Sequence, residues 1–239
     1  MRWTCAACVG LILLAGVVAR AKDAEDADPL DQGQALIHTE KHAEGVELLR
    51  RVIREAEGGE ADAQTWLRVG RAHFYLEEDA QAVAAVEKAV SLAPENAGLH
   101  YWLTVIWKYS DVDKALAACK EALRLDPKLG KAWYELGALR EMRKERVEQL
   151  DAYLKAAELL PDSAQAHYKA GNALKRAKRY DGAIQRCRHA VELRPAFVNA
   201  WYNAALIHYL EGRFEEARTA WGKASDLAPD DLQVHAKLV

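Results

Sequence analysis

Apolar residues recur at helical spacing between Pro195 and Pro229, in two runs separated by the polar break Glu-Gly-Arg at 211–213. Trp201 belongs to the first run and Ala217 to the second. Apolar positions three and four residues apart place their side chains on one face of a helix. The stretch therefore predicts two short amphipathic helices that are joined by a tight turn and ended by a proline.

Prolines recur at a nearly constant interval along most of the chain. A fixed period near 34 residues indicates an array of helical hairpins, and the length of 239 residues allows about six of them. The periodic prolines, at intervals of 33, 34, 34 and 34 residues, are Pro94, Pro127, Pro161, Pro195 and Pro229.

This periodicity predicts an all-α fold built from six hairpins. Each hairpin is one repeat, and the first repeat is degenerate because it ends at Gly58-Gly59 instead of a proline. The third repeat is one residue short, and we expect the turn at 109–111 to absorb the deletion. Residues 230–239 are expected to form a short capping helix. The predicted repeats span about 30–60, 62–94, 95–127, 128–161, 162–195 and 196–229.

The N-terminus has the layout of a secretory signal peptide. Met1-Arg2 is a short positive start, an apolar run follows, and Ala19-Arg20-Ala21 is a small-x-small cleavage pattern. We predict a signal at 1–21 that is cleaved after Ala21, and an acidic linker at 22–29. A retained membrane anchor or a buried helix is the alternative, but about 17 apolar residues are short for a bilayer span. The expectation is an exported protein, periplasmic or secreted, with no stable membrane span after cleavage.

Composition argues against several classes of function. A net charge of -3 gives no general attraction to nucleic acid. The sequence has no Gly-rich phosphate loop and no nucleophile elbow, so we expect neither an enzyme nor a bound cofactor or metal. Cys119 and Cys187 occupy the same position in two repeats, a position that usually holds a core side chain. We therefore predict that both are small buried hydrophobes.

The repeat positions are similar to the tetratricopeptide pattern W-x2-L-G-x2-Y…A-x3-F…P. The chain resembles this family from about residue 30 to 239. The resemblance implies an α-solenoid, a right-handed superhelix in which the first helices line a concave groove that holds an extended peptide or a partner's helix. One repeat shows the pattern with Trp133, Leu136, Gly137, Tyr153, Ala156 and Pro161, and another with Trp66, Gly70, Ala82, Ala89 and Pro94.

Two kinds of position have a packing role in this pattern. Gly137 and Gly171 are expected to let the two helices of a hairpin approach closely, and Trp201 is expected to fill the space between hairpins. His100 and His167 stand where tryptophan is usual, so we interpret them as packing residues and not as ligands.

Four tyrosines occupy one equivalent first-helix position, and they suggest a peptide groove. Tyrosine offers a flat apolar surface with a hydroxyl, and asparagine can bind a peptide backbone. The alternative is that each tyrosine simply packs against its neighbour. The carboxylate clamp of the family's chaperone-tail binders is incomplete, because Tyr168 stands where its first lysine would be. The candidate groove residues are Tyr101, Tyr134, Tyr168, Lys169, Asn172, Tyr202, Asn203 and Tyr209.

Charge is unevenly distributed along the chain. Residues 164–197 contain eight Lys and Arg against two acids, whereas residues 22–60 contain eleven acids against five bases. This layout could steer an acidic partner, favour head-to-tail contacts between copies, or reflect a solvated outer face. The sequence predicts a non-catalytic scaffold that binds a protein or peptide ligand. The alternative is a self-assembling envelope component that stacks end to end as a homo-oligomer.

Overall fold

The computed structural model describes residues 28–57 and 61–229, and this part of the chain forms helices joined by turns, with no strand. The predicted signal at 1–21, nearly all of the linker and the predicted cap at 230–239 lie outside the described residues. The chain divides into two compact units, residues 1–127 and 128–239.

Among the described residues, each unit contains three helical hairpins, which we number repeats 1–3 and 4–6. Within a hairpin the two helices pack against each other, and each second helix also packs against the first helix of the next repeat in the same unit. The predicted all-α solenoid is confirmed. In unit 1 the helices are α1 (Pro29–Leu36), α2 (His42–Glu57), α3 (Ala63–Tyr75), α4 (Asp79–Leu92), α5 (Ala97–Trp107) and α6 (Val112–Leu125).

The second unit repeats this order. Its first helices are α7, α9 and α11, and α9 contacts α11 directly. The helices are α7 (Gly130–Met142), α8 (Arg146–Leu159), α9 (Ala164–Arg176), α10 (Tyr180–Leu193), α11 (Val198–Leu210) and α12 (Phe214–Leu227).

Four hairpins turn through one residue in the left-handed region, at the same repeat position. These are Glu77, Lys144, Lys178 and Gly212, with φ of 61°, 61°, 58° and 74°. The following N–H bonds to the carbonyl five residues back, as in Arg213 N to His208 O at 2.9 Å, so that the helix end is capped. The turn of repeat 3 is one residue shorter than the other four. The backbone N–H at its end bonds to the carbonyl four residues back, and not five. The deletion is absorbed in this turn, as predicted.

Glycine on the first helix allows close approach of the second. A Cβ on Gly137 would lie 2.5 Å from the Tyr153 Cδ1 atom, and one on Gly171 would lie 2.9 Å from the Cys187 sulfur. The role predicted for these glycines is confirmed. Cys119 and Cys187 are fully buried, which confirms that they act as core residues.

The histidines that replace tryptophan keep its hydrogen bond. Trp201 Nε1 donates to the Pro195 carbonyl at 2.9 Å, and His167 Nε2 lies 2.9 Å from the Pro161 carbonyl. His100 Nε2 lies 2.8 Å from the carbonyl of the proline that ends repeat 2. Because burial lowers the pKa of His167, its ring stays neutral and Nε2 can carry the donated proton. The histidines have a packing role, as predicted.

We predict that Gly137→Ala destabilises the protein by about 1–3 kcal/mol, since the added methyl overlaps the Tyr153 ring. Gly222→Ala is the matched control. Its Cβ would meet nothing within 4 Å inside α12, so the loss of backbone freedom in the unfolded chain should stabilise the protein by up to about 1 kcal/mol. Urea unfolding followed by circular dichroism measures both. Equal midpoints for the two variants would show that the close approach at Gly137 is unimportant.

Candidate functional site

In unit 2, side chains from successive first helices meet at a spacing of 28 residues. Glu141 of α7 pairs with Lys169 of α9, and Lys175 of α9 pairs with Asn203 of α11. The two pairs occupy equivalent positions of the repeat, since each pair joins the last turn of one first helix to the middle of the next first helix. These two pairs define two neighbouring clusters on the first helices.

The Glu141 cluster consists of Glu141, Lys169, Arg176 and Tyr153. Lys169 Nζ and the Tyr153 hydroxyl each donate to Glu141 Oε2 at 3.0 Å, and Arg176 donates to Oε1 at 2.8 Å. Burial alone would raise the pKa of Glu141, but the charge and hydrogen bond of Lys169, with smaller contributions from Tyr153 and Arg176, lower it. Glu141 is therefore an ionised acid that is fully satisfied by its own chain.

Tyr153 joins this cluster from the core of the hairpin. Its side chain is fully buried against Gly137, while its hydroxyl reaches Glu141. Burial raises the pKa of Tyr153 far above its usual value, so the hydroxyl stays protonated and donates. The glycine that brings the two helices together thus also places a donor beneath the acid.

The Lys175 cluster consists of Lys175, Asn203 and Tyr168. Lys175 Nζ donates to Asn203 Oδ1 at 2.6 Å, and Asn203 is only 5% exposed. Burial raises the pKa of Tyr168, although hydrogen bonding with Asn203 opposes the shift. Burial also lowers the pKa of Lys175, because the ammonium loses part of its hydration.

The structure places the four tyrosines of the candidate groove half-buried. Tyr134 packs on Tyr153 with ring centroids 5.8 Å apart, and Tyr168 packs on Phe197 at 5.0 Å. Tyr202 packs on the cluster formed by α11 and α12. Each ring therefore contacts a neighbour, as the packing interpretation predicts, and still keeps part of its surface exposed.

Tyr101 lies in unit 1 and belongs to a different aromatic surface. Its ring meets that of Trp102 edge-on at 5.9 Å, and Trp102 contacts Phe74 and Tyr75 at 6.1 and 6.4 Å. Arg71 lies 5.1 Å from the centre of the Trp102 ring.

The remaining candidate residues differ in exposure. Asn172 is half-buried on α9 and has no hydrogen-bond partner among the described residues. Tyr209 is 51% exposed and packs on Phe214 and Trp221, with centroids 5.6 and 5.7 Å away. Asn203, by contrast, presents its oxygen to Lys175 from a buried position.

Sequence reasoning missed Glu141 and the hydroxyl of Tyr153. Both residues fit the repeat pattern as ordinary packing or turn residues. The signal that could have found them is the 28-residue spacing between oppositely charged first-helix positions, which joins Glu141 to Lys169.

Two further observations concern the described part of the chain. Within residues 28–57 and 61–229, no helix is both long and apolar enough to cross a membrane. The same residues contain no group of three His, Cys, Asp or Glu side chains placed to hold a metal ion.

Comparison with known proteins establishes the family. Profiles of the tetratricopeptide repeat match residues 63–96 and, in overlapping segments, 107–164, 147–196 and 168–231. The chain belongs to the tetratricopeptide repeat family. Proteins of this family generally mediate protein–protein interactions.

Tetratricopeptide relatives with curated functions are much longer than this chain. The human protein O-mannosyl-transferase TMTC1 is 30% identical over 99 residues, which are 40% of this chain and 11% of that protein. The mouse superkiller complex protein 3 is 28% identical over 160 residues, which are 66% of this chain and 10% of that protein. The chain thus spans about a tenth of each of these two relatives.

Solved tetratricopeptide structures show the same fold. YrrB, described as having an unusual peptide-binding site, has a TM-score of 0.64 at 23% identity, over 81% of this chain and all of YrrB. MamA has a TM-score of 0.61 at 24% identity, over 71% of this chain and 97% of MamA. Cut9 in its complex with Hcn1 has a TM-score of 0.69 at 16% identity, over 98% of this chain and 45% of that chain.

We predict that Lys169→Met destabilises the protein at neutral pH by about 1–3 kcal/mol, because Glu141 loses a close cation in a half-buried position. The folded pKa of Glu141 lies below its ordinary value of 4.5. The stability from this cluster is therefore present above that value and is lost as the pH falls through the folded pKa. Urea unfolding at pH 7 and in acid should show the penalty shrinking as Glu141 is protonated.

Lys223→Met, at an exposed lysine on α12, is the control for loss of one positive charge. The double variant Glu141→Gln/Lys169→Met should be less destabilised than the single lysine variant, since no unpaired acid remains. A penalty for Lys169→Met that matches the control at both pH values would contradict the role of Lys169 as a partner of Glu141.

Proposed function

We propose that the protein is an exported, non-catalytic scaffold that binds an acidic segment of a partner protein along the first helices of repeats 4–6. One observation carries this proposal. Lys169 and Arg176 of α9 pair with one acid, Glu141, and Lys175 on the same helix has no acid partner among the described residues. The surface is therefore net positive although the whole chain carries a charge of -3.

The same face of α9 offers the other contacts that a peptide needs. Tyr168, Asn172 and Lys175 are four and three residues apart, so they lie on one side of the helix. The half-buried ring gives apolar contact, the unpartnered amide of Asn172 can bond a peptide backbone, and the lysine attracts an acid. Complementary charge would steer the partner and fix its orientation.

Export remains part of the proposal and rests on residues 1–21. Their positive start, apolar run and Ala19-Arg20-Ala21 ending support a signal that is removed before the scaffold meets its partner. The partner would then be another exported or envelope protein.

A photo-reactive amino acid at position 172 tests the binding face in the native cell. We expect it to cross-link to a partner protein, and mass spectrometry of the product should locate an acidic segment. A matched probe at position 223, exposed on α12, should not give this product. The scaffold recovered with the partner should begin at Lys22. Cross-links to a basic segment, or equal yields from both positions, would contradict the proposed binding face.

A second candidate function is self-association at repeat 6. Three large apolar side chains around the turn of repeat 6 are exposed: Tyr209 at 51%, Leu210 at 51% and Phe214 at 63%. Exposed apolar groups that lie together often mark interaction surfaces. Copies could therefore associate through α11 and the start of α12, which is the structural role that the sequence left open.

Sedimentation velocity across a wide concentration range tests this second function. If repeat 6 mediates self-association, the sedimentation coefficient should rise with concentration, and Phe214→Ser should suppress the rise without loss of helicity. Tyr109→Ser, at a residue that is 48% exposed in unit 1, is the control. A monomer at every concentration would reject self-association.

A further inference from the structure

The turns that join the two helices of each hairpin in unit 2 are neighbours in space. Arg176, at the end of α9, donates to Glu141 at the end of α7 at 2.8 Å. Arg213, just before α12, lies 3.7 Å from Asp181 at the start of α10. These contacts connect the turns of repeats 4, 5 and 6 into one surface, which we call the turn edge. It comprises residues 142–147, 176–181 and 210–215.

The turn edge is basic, although the chain as a whole is acidic. It contains seven Lys and Arg against four Asp and Glu, whereas the equivalent turn of repeat 2, at 75–80, contains three acids and no base. At the left-handed position of the turn, repeat 2 has Glu77 where repeats 4 and 5 have Lys144 and Lys178. Since the same turn forms with either charge, folding does not account for the lysines.

Most of the positive charge on this edge is free. Each of the four acids lies within 3.7 Å of an arginine nitrogen. Four of the seven cations, by contrast, are exposed and form no ion pair with the described residues. These four are Lys144, Arg146, Lys178 and Arg179. The turn edge therefore presents uncompensated cations from two adjacent repeats.

Large apolar side chains are exposed beside these cations. Val147 is 71% exposed and follows Arg146 directly, and Met142 is 44% exposed at the end of α7. In repeat 6, Leu210 and Phe214 are 51% and 63% exposed. Exposed apolar groups that lie together often mark a surface that another body covers. The turn edge thus combines free cations with apolar groups that favour a less polar environment.

We infer that the turn edge of repeats 4–6 docks on an anionic lipid surface. Lipid headgroups attract Lys and Arg, and the boundary between headgroups and acyl chains accepts apolar side chains. A purely acidic peptide would bind the cations and leave the four apolar side chains in water. The inference goes beyond the proposed function, because the turn edge does not include the face of α9 that carries Tyr168 and Asn172.

This docking is peripheral and depends on charge. The cations of repeats 4 and 5 contact headgroups, while the apolar side chains of repeats 4 and 6 insert only as far as the upper part of the acyl chains. Because the attraction decays over the Debye length, salt should release the protein from the lipid. A segment that spans the bilayer would not be released in this way.

Flotation with phospholipid vesicles tests the docking. The protein is used without residues 1–21, so that the apolar run of the predicted signal cannot itself insert. One set of vesicles is phosphatidylcholine alone, and the other is phosphatidylcholine mixed with phosphatidylglycerol. We expect the protein to float with the mixed vesicles and to be released by sodium chloride. It should not float with phosphatidylcholine alone.

A double variant removes two of the free cations without a penalty in folding. Lys144 and Lys178 have φ of 61° and 58°, a conformation that glycine adopts without strain. Lys144→Gly/Lys178→Gly should therefore remain folded, and its affinity for the mixed vesicles should fall by at least about tenfold. Lys155→Gln/Lys223→Gln, at exposed lysines of α8 and α12, makes the same change in net charge and should keep most of the affinity.

A fluorescent probe tests insertion of the apolar side chains. Without residues 1–21, the chain retains only Cys119 and Cys187, which are fully buried. An environment-sensitive dye can therefore be attached selectively at Val147→Cys, and at Lys223→Cys as the matched control. The emission from position 147 should shift to the blue when mixed vesicles are added, and the emission from position 223 should not change.

Three results would overturn the inference: no flotation with the mixed vesicles, an equal loss of affinity in both double variants, or a dye at position 147 that stays in water. The photo-cross-linking experiment at position 172 can succeed while these tests fail. In that case the scaffold binds its partner along α9 and has no lipid-binding edge. If only the cross-linking fails, the lipid-binding edge stands and the proposed partner face is wrong.

Discussion

Close packing at a glycine on the first helix of repeats 2, 4 and 5 is a constraint on which the other contacts depend. At Gly70, Gly137 and Gly171, a single Cβ would overlap the second helix. With hydrogen in its place, the two helices of these hairpins pack at short range, and each second helix also packs against the next first helix of its unit. Residues 28 apart then meet repeatedly, and for this reason Glu141 reaches Lys169 and Lys175 reaches Asn203.

The fold could be predicted from the sequence because its determinants are residue types at fixed spacing. Prolines at nearly constant intervals, glycine on the first helices and an aromatic or imidazole ring at one position are visible without coordinates. His167 fits the same pattern, since its imidazole N–H replaces the indole N–H of tryptophan and faces the carbonyl of the equivalent proline. The shortened turn of repeat 3 was also predictable, because the later residues regain register.

The candidate site was predicted less completely, for a physical reason. Whether Asn203 faces solvent depends on the length and direction of Lys175, which lies one repeat earlier and covers it. Likewise, Tyr153 fits the pattern as a core residue, and only the structure shows its hydroxyl against Glu141. The register of the tyrosines was visible in the sequence, but the neighbour that each ring contacts was not.

The number of basic residues in the sequence also does not show which of them lie in the two clusters. Of the eight basic residues in residues 164–197, only those on α9 take part in the two clusters. Arg194 stacks on Phe197 at 3.7 Å from the ring centre, and Arg186 lies 3.3 Å from His167 Nδ1. These arginines serve packing between α9, α10 and the following turn. The surface that could attract a partner is therefore smaller and more specific than the charge asymmetry indicates.

The residues of the left-handed turns affect the stability of the fold and lie outside the two clusters of unit 2. Glu77, Lys144 and Lys178 adopt a conformation that costs a non-glycine residue about 1 kcal/mol, and repeat 6 has Gly212 at the same place. None of these residues belongs to the Glu141 or Lys175 cluster. Substitutions at the turns alone could therefore raise the stability of the array and leave the two clusters on the first helices unchanged.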